Sequence, residues 1–273
     1  MISDFHNDLL TEGAMTADRL GEQISSGVCA VFRGDREFSE VAALAERFCA
    51  AHPSNLYLGL EDTGYFTEER AERICGWRPV YASLTWNGEN ALAGGCLSDA
   101  RLTERGRAAV SAFGSSKIYI DVSHLNEASF CDVLDCSPFG VVASHSCFYA
   151  LKKHPRNLYD WQAREIVARG GLIGITFVGA FLTSGRARPD DVFRHLEYGA
   201  EKFGIGSVCI GTDFFGTNDL PQTLRTYAEA DALRNYFARA GYSADDIEKI
   251  FKRNLQDFLQ KTRKIQNDLR KKR

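Results

Sequence analysis

Short runs of apolar and β-branched residues alternate along this chain with longer stretches whose apolar positions recur every three or four residues. The short runs predict strands at 2–8, 28–32, 57–61, 79–86, 117–123, 140–145, 171–177 and 207–213. The longer stretches predict helices over 17–26, 36–51, 65–76, 99–113, 126–135, 159–170, 189–204 and 224–240. Asn126 ahead of Glu127, and Arg188-Pro189-Asp190-Asp191, carry the cap, proline and acidic first turn that start helices. GVVAS (140–144) and GLIGITF (171–177) are almost unbroken apolar runs, as parallel strands buried on both faces require. Eight strand–helix units in series close naturally into a (β/α)8 TIM barrel. The rival, an open doubly wound sheet, is disfavoured because no Gly-rich phosphate loop follows the first strand. The expectation is one domain over 1–273, with 243–273 as an appended C-terminal helix.

Composition narrows this without changing it. A single barrel commonly runs to ~250 residues, close to the 273 here. The chain carries 33 Lys+Arg against 36 Asp+Glu, net −3, too neutral for a protein that binds nucleic acid by neutralising phosphates. Residues 261–273 alone hold seven Lys/Arg and one Asp, net +6, which leaves −9 for residues 1–260. That basic end can meet an anionic surface, but cations also suit a helix C-terminus, and the preferred reading is a solvated helix end. The opening MISDFHNDLL lacks a basic leader and no apolar run reaches the ~18 residues of a membrane span. The eight cysteines include no CxxC pair and read as reduced thiols. A soluble, cytoplasmic protein is expected.

The chemistry gathers where a barrel keeps its active site, at the C-terminal ends of the strands. His6 and Asp8 end the first strand, Glu61 the third, Trp86-Asn87 the fourth, His124 the fifth, His145 the sixth and Asp213 the eighth. His6 and Asp8 are two apart, so a strand points both the same way, as half a metal site. With Glu61, His124 and His145 they make five donors, more than one tetrahedral zinc takes. Five donors suit two cations ~3.5–4 Å apart, with a carboxylate bridging them. Asp213 is the candidate proton shuttle beside a metal-bound water. Arg156, in HPRN (154–157), is placed to pair with an anionic substrate end. The other histidines read as structural: His52 and His195 on the surface, His154 in its loop. Cys147 reads as a buried thiol. No G-x-S-x-G elbow or defensible serine triad is present.

Seven stretches stand out together: DFHNDLL (4–10), GLE (59–61), SLTWNGENALAGG (83–95), IDVSHLNEASFCDVL (120–134), VVASHSCFYALKKHPRNL (141–158), GGLIGITF (170–177) and GTDFFG (211–216). In that order they resemble the membrane (renal) dipeptidase family of dinuclear zinc peptidases, peptidase family M19. The resemblance implies that His6 and Asp8 bind one zinc, His124 and His145 a second, and that Glu61 and a hydroxide bridge them. It makes Asp213 the acid/base, Arg156 the group holding a dipeptide's carboxylate, and Trp86 and Asn87 further substrate contacts. A D-residue at the dipeptide's C-terminal position is tolerated in that family, and homodimers are common.

Three departures modify that picture. Asp62-Thr63-Gly64 stands where relatives often have Gly-Gly after the bridging Glu, implying a different loop. Trp86 replaces an oxyanion-contacting His, which implies altered specificity rather than lost activity. Phe215 replaces the second Asp of Asp-Phe-Asp-Gly and is expected to reshape the pocket floor. The alternatives are a related amidohydrolase acting on another amide, lactam or lactone, and a catalytically silent barrel that binds metal or peptide.

Overall fold

The computed structural model describes residues 1–13, 16–51 and 54–271. His52 lies outside them. Eight parallel strands hydrogen-bond in sequence order: β1 (Ser3–Asn7), β2 (Ser26–Phe32), β3 (Leu56–Glu61), β4 (Tyr81–Ser83), β5 (Tyr119–Asp121), β6 (Val141–Ser146), β7 (Ile173–Ile175) and β8 (Val208–Ile210). Asp213 N–H donates to His6 O at 3.1 Å and Asp8 N–H to Phe214 O at 2.9 Å, drawing the end of β8 back onto β1. The result is the expected (β/α)8 barrel, with helices packed around a core of Val, Ile, Leu and Phe.

Several strands are shorter than their apolar runs suggest, for visible reasons. Lys117 has φ 61°, a left-handed conformation that a strand excludes. Beyond Ser83 the chain leaves the sheet, and Asn90 Oδ1 accepts from Leu92 N–H at 2.8 Å to turn it back. The helix expected over 17–26 is limited to Ala17–Gly21, because Ser26 already begins β2. That expected over 224–240 is two short helices, Tyr227–Asp231 and Arg234–Arg239, separated where Leu233 N–H bonds Ala230 O three residues back. Asn126 caps its helix as predicted, its Oδ1 accepting from Ser129 N–H at 2.7 Å.

The C-terminal segment is less an appendage than the floor of the barrel. It runs helical from Ala244 through a π-helical turn at Lys249–Arg253 to Lys271. Leu255, Phe258 and Leu259 pack there against Phe5, Val28, Tyr81 and Tyr119. Gln266 Nε2 donates to Pro79 O and Lys117 O, so even the basic end is docked along one face. The expectation of a solvated end therefore holds for its outward residues only. No helix among the described residues is long and apolar enough to cross a membrane.

Candidate active site

The opposite mouth of the barrel is built from strand ends that break regular pairing. The β1–β2 register shifts between Asp4 and Asn7, and the β6–β7 register between Ala143 and Ser146. Such irregularities re-aim side chains, and here they bracket His6 and His145. Both imidazoles are buried, with ring centroids 3.8 Å apart.

The donor atoms converge in three overlapping triads, two of them sharing the Glu61 carboxylate. His6, Asp8 and Glu61 form one, Glu61, His124 and His145 the second, and His6, His145 and Asp213 the third, the donor atoms of each lying within 4.8 Å of one another. His6 Nε2 is 3.3 Å from Glu61 Oε2 and 3.6 Å from Asp8 Oδ2. His124 Nε2 is 2.8 Å from Glu61 Oε1 and 2.9 Å from His145 Nε2. Asp213 Oδ1 lies 3.7 Å from His6 Nε2, at the edge of the cluster.

The outer ring nitrogens fix the tautomers. Tyr81 O–H donates to Phe5 O, so its oxygen accepts from His6 Nδ1–H at 2.8 Å. Ser144 donates to Asp121 and so accepts from His145 Nδ1–H at 2.7 Å. Asn87 Oδ1 accepts from His124 Nδ1–H at 3.0 Å. Three Nε2 lone pairs therefore point into a space already holding two carboxylates, and His6 Nε2 and Asp8 Oδ1 have no hydrogen-bond partner. Buried lone pairs this close repel unless a cation sits among them. The donor set, all nitrogen and oxygen with one shared carboxylate, fits divalent metal ions.

The electrostatics show the same demand for positive charge. Burial opposes ionisation of His6, yet the Asp8 and Glu61 carboxylates beside it hold its pKa well above the ordinary imidazole value. Burial, helped by the Arg156 charge, pushes His124 down to about 4. Burial, with the charges of His6 and Arg156, pushes His145 well down. Glu61 stays below the usual carboxylate range because His124 and His6 outweigh its burial. Burial and the Asp8 charge hold Asp213 well above it.

A cavity of about 220 Å³ opens over the triads, lined also by Phe32, Trp86, Arg156, Phe181 and Asp213. Arg156 is buried, with its guanidinium 5.2 Å over the Phe181 ring and Nη2 3.2 Å from His124 Nε2. Its Nε and Nη1 have no partner. Trp86 is 48% exposed at the rim. Asn87 touches the cavity, but its carbonyl oxygen is committed to His124.

The loops carrying the carboxylates are conformationally unusual. Asp62, Asp213 and Phe215 all have positive φ, which a bulky residue such as Phe rarely adopts. A Cβ on Gly216 would sit 2.1 Å from Asp8 Oδ2, so only glycine lets this loop approach the cluster. Phe215 lines a neighbouring cavity with Phe214, Leu220 and Tyr227 and is not among the residues lining this one. His195, expected on the surface, is buried: Nδ1 accepts from Phe148 N–H at 3.1 Å and Nε2 donates to Leu182 O at 3.2 Å. The helix 189–203 buries that face against the barrel, and both ring nitrogens are satisfied. His154 is a loop residue whose Nδ1 accepts from Arg156 N–H, and Cys147 is a buried thiol. Sequence reading missed Tyr81, Asp121 and Ser144, the residues behind the imidazoles.

A profile of the membrane dipeptidase family (peptidase family M19) matches residues 75–273. An uncharacterized dipeptidase of Schizosaccharomyces pombe is 28% identical over 205 residues, covering 70% of this chain and 49% of its own. The chain spans about half the length of the curated relatives it matches. Among solved structures, dipeptidase AC of the same peptidase family superposes with a TM-score of 0.84 at 22% identity, covering 96% of this chain and 98% of that one. A metallopeptidase from Rhodobacter sphaeroides, liganded with a phosphinate mimic of L-Ala-D-Ala, gives 0.80 at 20% identity over 96% and 99%. At these identities the structural likeness speaks to the fold.

Proposed function

The chain belongs to the membrane dipeptidase family, and from that membership we propose that it is a metal-dependent dipeptidase hydrolysing the peptide bond of dipeptides. The observation that carries the reading is Arg156: a buried guanidinium with two unpartnered nitrogens, in the cavity that covers the donor cluster. A buried cation left unpaired is costly, and a carboxylate-ended ligand is its natural partner.

His6 and Asp8 would hold one cation, His124 and His145 a second, and Glu61 both, with zinc the expected metal. Such ions, when bound, polarise a carbonyl and lower the pKa of a water toward ~7. Arg156 clamps the C-terminal carboxylate and so fixes the scissile bond over the cluster. Asp213 takes the proton from the attacking water and passes it to the leaving nitrogen. Trp86 covers the outer side of the cavity as a substrate contact, and Asn87 acts by orienting His124. The Rhodobacter metallopeptidase accommodates a mimic with a D-residue at its C-terminal position, and we extend that tolerance to this chain.

Metal analysis of the purified protein, followed by a panel of L-L and L-D dipeptides, tests the reading. The expected result is about two metal ions per chain and release of free amino acids. Fewer than one metal per chain, with no hydrolysis after zinc loading, removes it.

A further inference from the structure

One hydroxyl reaches both halves of the donor cluster. Ser144 Oγ lies 2.7 Å from His145 Nδ1 and 3.2 Å from His6 Nδ1. It donates its only proton to Asp121 Oδ2. Asp121 is fixed in turn, its Oδ1 accepting from Ser123 Oγ at 2.7 Å, Ser144 N–H at 3.0 Å and Ser123 N–H at 3.1 Å. A serine hydroxyl has one proton and two lone pairs. With the proton on Asp121, both lone pairs face imidazole nitrogens, and each favours an N–H there. His6 has a second acceptor in Tyr81, whereas Ser144 is the one side-chain partner of His145 Nδ1 among the described residues. His124 stands apart from this arrangement and is held by Asn87.

We propose that Ser144 is a positioning residue shared by the two cation sites, relaying the Asp121 carboxylate to His6 and His145 at once. The relay keeps the proton of each ring on Nδ1 and presents each Nε2 lone pair to its own site. The inference rests on the two-cation reading above. Its distinguishing consequence follows from that reading: His6 would hold one cation with Asp8 and His145 the other with His124, so losing a single hydroxyl weakens both. The loss is larger on the His145 side, because Tyr81 still supports His6.

The test is zinc binding by the whole chain, stripped of metal and titrated in competition with a chromophoric chelator. Wild type is expected to bind two zinc ions. Ser144→Ala should lower affinity ~10–100-fold at one site and by a smaller factor at the other, the usual range for lost outer partners of metal ligands. Asn87→Ala should weaken one site only. A wild type that binds no zinc defeats the two-cation reading and this inference with it. Two zinc ions with Ser144→Ala unchanged at both sites, or weakened at one alone, overturn the inference and leave the reading intact. Nitrogen-15 spectra of zinc-loaded wild type give an independent readout that needs no variant. His6 and His145 should each show a protonated Nδ1, and an unprotonated Nδ1 on either ring also overturns the proposal.

Discussion

The two mouths of the barrel bury side chains for opposite reasons. At the N-terminal mouth the C-terminal helix lays Phe258 4.8 Å from the Tyr119 ring and 5.5 Å from Phe5, and that floor is apolar. At the other mouth three imidazoles and three carboxylates crowd together, with unpartnered atoms on His6, Asp8 and Arg156. Burial itself does not separate them. Asp4 is as buried as His6, yet it accepts from Thr212 N–H, Thr212 Oγ1 and Tyr227 Oη, each at 2.8 Å. What marks the upper mouth is buried ionisable groups left unsatisfied side by side on His6, Asp8 and Arg156, which is where a ligand must complete the structure.

If that division is right, substitutions at the two mouths should separate activity from stability. Asp213→Asn should retain its metal and fold while losing ~10²–10⁴-fold in turnover, the range for a general acid–base group. Unchanged turnover removes Asp213 from its role. Phe258→Ala should do the converse, destabilising the chain by about 3 kcal/mol, as for other buried aromatic truncations, with metal content unchanged. Thermal unfolding and metal analysis on one preparation decide it, and metal loss without destabilisation breaks the contrast.

Much of this was legible in the residues because period and strand-end position are local properties. Eight apolar runs lead to eight strands in order, and His6, Asp8, Glu61, His124 and His145 all reach one cluster. The supporting residues were not legible. Neighbours on a strand point to opposite faces, so Ser144 does not read as a partner of His145 until the register shift in β6 is seen. Tyr81 looks like one more apolar strand residue, and only the barrel brings its hydroxyl to His6, 75 residues away. His195 failed for a similar reason. A histidine on an amphipathic helix gives no sign of which backbone groups await it, here Phe148 N–H and Leu182 O.

His195 also offers a test of satisfied against unsatisfied burial. Burial holds its pKa down to about 4, although the Leu182 carbonyl and Asp191 work against that. The unfolded chain binds this proton near the ordinary value of ~6.5. Its contribution is therefore complete above that pH and is lost as pH falls toward 4. The loss is on the order of 3 kcal/mol. His195→Gln can keep both hydrogen bonds without titrating. Denaturant unfolding at pH 7 and pH 4.5 should show a shallower fall for the variant, and parallel curves would mean that His195 is protonated in the folded state.

The smallest effect expected is the sharpest probe of the upper mouth. Arg156→Lys keeps the charge but replaces a planar fork with a point donor. If the unpartnered Nε and Nη1 of Arg156 await a carboxylate, the variant should raise KM about tenfold, roughly 1.4 kcal/mol, and leave kcat within a factor of about two. A loss in kcat with KM unchanged would instead tie the guanidinium to the reacting centre through His124, 3.2 Å away. Metal content separates a third possibility. Arg156 stands among the donors as a fixed positive charge, so its shorter replacement should bind zinc no more weakly than wild type. Weaker zinc binding would mean that the guanidinium holds the His124 ring in place, and the cavity's anion site would have to be sought elsewhere.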